Sequence, residues 1–151
     1  MFDTVMGLPL HPLVVHAVVV LLPLACVLTV AVAVKADWRR FAPLLAVFNL
    51  GVAIAAFVAV QSGESLERRV EQLSRPAGLE DHAEWGEKLV PLSFALVIGA
   101  GVIWYTRSRT TWARVVAGLA IVGAIGTIGL TMLVGHSGAE MVWKDIIANT
   151  R

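Results

Sequence analysis

Four histidines are the side chains of this sequence best placed to do chemistry. His11 and His16 open the first long apolar run, His82 precedes the third, and His136 follows the fourth. A neutral imidazole can ligate haem iron or a transition-metal ion. A titratable side chain at membrane depth is costly, so it marks a functional site by default. His16 carries that argument furthest, because its surroundings are otherwise Val, Ala and Leu. For His11, His82 or His136 taken singly, an ordinary interfacial histidine is the plainer alternative. Landing all four on one side is only mildly surprising, since that side holds more of the non-apolar sequence.

The spacing constrains the pairs. His16 follows His11 by five positions, roughly 7 Å deeper and about 140° round a helix. The two do not share a helical face, and one ion bound by both would need His11 to fold back. His16 with His136 is therefore the first pair expected to ligate haem b, with His11 and His82 as a second pair or as outer contacts. The other chemistry is a metal-ion site in which His16, His82 and His136 join Glu64, Glu84 or Glu140. That mixture of imidazole and carboxylate suits Fe, Zn, Cu or Mn. Asp81 and Glu84 also have the spacing of a capping box for the third helix, as do Ser137 and Glu140 for a C-terminal one. Met132 and Met141 are soft ligands or, as Met usually is in a bundle, packing. No phosphate loop, CxxC, CxxCH or nucleophile–base pair is present. An electron carrier is expected rather than a catalyst on its own.

The elements that position these residues are membrane spans. The chain of 151 residues is 58% hydrophobic and 15% charged, against about 25% charged in a soluble domain. About 20 apolar residues at 1.5 Å each cross the hydrocarbon core. Four runs qualify, at 12–34, 41–61, 87–106 and 112–134. The expectation is an all-α, integral membrane four-helix bundle, a single domain over 1–151, with two short amphipathic outer helices. One outer helix lies within 62–86, where Leu66, Val70 and Leu73 share a face and Arg75-Pro76-Ala77-Gly78 ends it. The other runs from Gly135 to Arg151. The first run is too long for a signal-peptide core, and no cleaved leader is evident. The two hairpins read as a degenerate duplication with no matching motif.

Charge sets the orientation. The two short connections and Arg114 hold six Lys or Arg and one acid, Asp37; the other side holds six Lys or Arg, spread over a longer stretch, and ten acids. Positive-inside puts the short connections in the cytoplasm of a bacterial plasma membrane and both termini on the extracytoplasmic side. Trp38, Trp104, Tyr105 and Trp112 would form the inner aromatic belt, with Trp85 and Trp143 at the outer one. The net charge of +1 suggests no nucleic-acid partner. Cys26 cannot form an internal disulfide and reads as a small core residue. Asn49, in mid-span, reads as an interhelical hydrogen-bonding residue. Gly118, Gly123, Gly126 and Gly129 give the fourth helix a smooth stripe, for close helix packing or for a porphyrin face. Such a stripe serves packing within the chain and in a homo-oligomer alike.

The run Leu8-Pro9-Leu10-His11-Pro12-Leu13-Val14-Val15-His16 resembles the HPxxVH opening of the bacterial membrane proteins grouped as domain of unknown function 2231. Ser62-Gly63-Glu64 with Glu67, and His82-Ala83-Glu84-Trp85, resemble that family's middle section. Gly135-His136-Ser137-Gly138 with Met141-Val142-Trp143 resembles its closing segment, with Ala139 in place of a second glycine and Trp143 in place of the usual tyrosine. The resemblance covers nearly the whole chain. It implies four membrane helices and motif positions at His11, His16, His82 and His136. It implies no settled activity. By architecture alone the chain is also similar to four-helix membrane cytochromes that hold haem b, and architecture does not give function. Three functions follow as expectations: a haem-b electron carrier serving a redox partner, a metal-ion site, or a non-catalytic subunit whose outer segment docks a larger membrane complex.

Overall fold

The computed structural model describes residues 4–5, 7–72 and 77–150. A two-residue β-ladder, β1 (Thr4–Val5) with β2 (Leu8–Pro9), pairs Thr4 with Pro9 and Val5 with Leu8. Gly7 sits between them at φ 82°, a left-handed value that a side chain would strain. The ladder feeds directly into α1 (Leu10–Val34). Pro12 is tolerated there because the first-turn N–H groups have no helical partner.

A 3-10 turn, Ala36–Phe41, joins α1 to α2 (Ala42–Glu71). The helices α3 (Leu79–Thr106) and α4 (Thr110–Ala148) form the second hairpin. All four are long and apolar enough to cross a membrane. Lipid offers no partner for a bare backbone group, so a closed helical bundle is the structure this composition permits. Neighbours pack in chain order, with α4 closing onto α1, and α1 also meets α3 across the bundle.

Small residues let the helices approach. Ala25, Cys26, Val52, Ala56 and Ala59 line the core with Val18, Leu22, Leu89 and Leu96 toward one end. Val32, Ala33, Ala42, Leu45, Ala100 and Ile103 fill it toward the hairpin tips. Near mid-bundle, Asn49 donates to Thr29 Oγ1 (3.2 Å) and to the Leu96 carbonyl (3.0 Å), tying α2 to α1 and α3 as its place in the sequence predicts. Cys26 is a buried free thiol.

At the tips, cations lie over aromatic rings: Lys35 over Trp38 at 4.1 Å, Arg107 over Trp104 at 3.6 Å and Arg109 over Tyr105 at 5.4 Å. Arg39 Nε donates to the Ala33 carbonyl (3.1 Å) and so satisfies the end of α1.

Three expectations change. The two outer amphipathic stretches are helical, but neither is a separate helix. The first splits between the end of α2 and the start of α3, and the second is the end of α4. The expected stop at Arg75-Pro76, with Leu73 of the outer face, lies outside the described residues. The capping boxes are not caps. Ser137 and Glu140 are interior to α4, and α3 starts after Gly78, at φ 87°, with no side-chain cap. No proline falls in 62–71 or in 135–148, so continuing α2 and α4 through them satisfies more backbone groups than ending them. Thirdly, Gly118, Gly123, Gly126 and Gly129 are exposed, and a Cβ at any of them would meet nothing within 4 Å. The stripe faces outward instead of packing inside this bundle.

Candidate functional site

Helix length decides where the site sits. The 39 residues of α4 span roughly 58 Å at 1.5 Å per residue, well beyond a hydrocarbon core of about 30 Å. Counting from the hairpin tips, about 20 residues bring each helix to the far hydrocarbon boundary, which is the level of the histidines.

His11, in the first turn of α1, reaches across to α2, where its Nδ1 bonds the Ala59 carbonyl at 2.8 Å. A carbonyl can only accept, so Nδ1 carries the proton. The ring lies on Gly63: a Cβ there would stand 3.0 Å from His11 Cε1 and Nδ1. His82, in the first turns of α3, reaches across to α4. Its Nδ1 is 2.9 Å from Ser137 Oγ. Ser137 gives its own proton to the Val134 carbonyl (2.9 Å), so the oxygen accepts from His82 Nδ1–H. The ring lies on Gly138, where a Cβ would stand 3.0 Å from His82 Cε1.

The two rings are 6.4 Å apart, centroid to centroid, with planes at 86°. Both are half-buried. In the neutral state each has its Nδ1–H anchored to a neighbouring helix and its Nε2 lone pair left over. Histidines that ligate metals commonly have their other ring N–H held by an acceptor, which fixes tautomer and orientation. Two imidazoles on opposite sides of one ion, bonded at about 2.0–2.1 Å, have their centroids roughly 6 Å apart. The observed separation is of that size.

The other two histidines are not brought to this pair. His16 is exposed on α1, and its Nδ1 bonds the Pro12 carbonyl of its own helix. His136 is exposed on α4, beside Ser137. The rings that meet are thus His11 and His82, where the sequence pairs His16 with His136. Glu84 binds Lys88 (2.7 Å) and Glu140 binds Lys144 (3.3 Å), each along its own exposed helix face. Glu64 accepts from Gln61 at 3.3 Å. Among the described residues, no three of His, Cys, Asp or Glu converge to hold a metal ion.

Sequence reasoning placed Ser62, Gly63, Ser137 and Gly138 in segments that resemble the family's and gave Ser137 a capping role besides, but gave none of them a part in a site. The signal that marks them is a Ser-Gly dipeptide near the same level of α2 and of α4.

The fold and this end of it define an integral membrane four-helix bundle with an interhelical imidazole pair. The family model described as a predicted membrane protein, DUF2231, matches residues 7–151, and the chain belongs to that family. Neither the curated proteins nor the solved structures gave a match.

Proposed function

We propose that this protein holds haem b between the Nε2 atoms of His11 and His82 and carries electrons at one face of the membrane. The observation that supports it is the pair itself, with both Nδ1–H groups anchored and the rings 6.4 Å apart. An iron porphyrin already has four equatorial nitrogens, so two imidazoles complete it. A bare ion wants further ligands, and the described residues gather none.

A transition-metal ion is the second reading. It is favoured by the close packing of both rings on glycine, which makes the site compact. The basic, aromatic-rich hairpin tips support an orientation with those tips in the cytoplasm of a bacterial plasma membrane. The site then lies at the extracytoplasmic boundary, within reach of a redox partner there.

Detergent-purified full-length protein, expressed with haem precursor, is expected to show a Soret band that shifts on reduction. H11A and H82A are each expected to abolish it. A colourless preparation that takes up no added haemin overturns the haem assignment. Stoichiometric metal in that colourless protein, lost in both variants, would establish the second reading.

A further inference from the structure

The two hairpins share a motif once it is read across helices. In the first, a histidine near the start of α1 bonds the carbonyl of Ala59 on α2. In the second, a histidine near the start of α3 bonds Ser137 on α4, whose hydroxyl is in turn bonded to the Val134 carbonyl. Ala59 and Val134 are each followed three residues later by serine and four residues later by glycine. Both serines donate back one turn: Ser62 Oγ to the Ala59 carbonyl at 3.0 Å, and Ser137 Oγ, which also accepts from His82, to the Val134 carbonyl at 2.9 Å. Both glycines hold the ring of the facing histidine at a distance a methyl group would not allow without movement. The arrangement of the helices agrees. The two hairpins run in the same sense, and α1 meets α3 across the bundle. Rotation by half a turn about the bundle axis would exchange one hairpin for the other.

We infer that α1–α2 and α3–α4 are two copies of one histidine–Ser-Gly module, and that Gly63 and Gly138 are equivalent positioning residues that aim the two Nε2 atoms at one shared centre. The inference deepens the proposed function and rests on it for the nature of that centre, but the equivalence stands on the geometry alone. Glycine suits 63 and 138 because the ring edge stands 3.0 Å from where a Cβ would be, so a methyl group there would push the ring by a few tenths of an ångström. Its lower helix propensity than alanine is tolerated at both places for the same reason.

The test is nitrogen-15 NMR of the histidine rings in the full-length, cofactor-free protein in detergent, joined to haemin titration. Wild type is expected to show His11 and His82 as Nδ1–H tautomers. G63A should move His11 toward the Nε2–H form and leave His82 alone, and G138A should do the reverse. Each should weaken haemin uptake by about 10–100-fold, the usual cost of losing an outer partner of a ligand. G51A is the control, since a Cβ at 51 meets nothing within 4 Å. S137A is a second, milder variant. It should keep His82 as Nδ1–H on the Val134 carbonyl, as His11 is on Ala59. An unchanged His11 tautomer in G63A, or an Nε2–H His82 in S137A, overturns the module. If the tautomers behave as expected and neither haemin nor metal binds, the module stands and the proposed function falls.

Discussion

His11 and His82 face inward; His16 and His136, at the same end of the same bundle, face out. The inward pair finds its partners on other helices, at Ala59 and Ser137. Outward-facing His16 finds one on its own helix, at Pro12. The difference teaches that depth along a helix and direction around it are separate matters. All four imidazoles are polar groups near a hydrocarbon boundary, and each costs free energy there unless it is bonded. A bond to one's own helix lowers that cost without building a site. A bond to a neighbouring helix also fixes the ring in a common space, where a second ring can meet it.

The largest expected effect that tests this contrast is on binding. H11A and H82A should each lower haemin affinity by more than about 100-fold, equivalent to more than about 2.7 kcal/mol, whereas H16A and H136A should leave it within about twofold. Spectral titration reads all four; a large loss in H16A with none in H11A would reverse the assignment.

A middle-sized effect is expected on stability. Asn49 makes two interhelical hydrogen bonds that outward-facing His16 does not. N49A should destabilise the bundle by about 1–2 kcal/mol, since such bonds average about 0.6 and reach about 1.7 kcal/mol in membranes. H16L should not destabilise it at all. Equilibrium unfolding in mixed micelles compares the two.

The smallest effect is at the exposed carboxylates. E84Q breaks only an open i,i+4 pair with Lys88, and E140Q only the one with Lys144. Neither should measurably change stability or haemin uptake. A clear loss of binding in either would return those residues to the site.

Composition and periodicity carry a long way here. The four spans, the two basic tips with their aromatic neighbours, the interhelical role of Asn49 and the family were all legible, because each depends on residue type counted along the chain. The outer helices were misjudged for a local reason. Polar, amphipathic sequence after an apolar run looks like a new element, yet Ser62–Glu71 and Gly135–Ala148 offer no strong breaker, and α2 and α4 simply continue. The site was half legible. Its histidines were named from their type, but His16 with His136 was the pair suggested, because His16 lay deepest in apolar sequence.

The linear chain by itself determined that this protein is a helical membrane bundle and that every imidazole gathers at one end of it, since apolar run length and chain order settle both. Only the packed structure decided which two imidazoles meet. That choice depends on the rotation of each helix against its neighbours, and on where two glycines leave room for a ring. Neither quantity is a property of any one stretch of sequence.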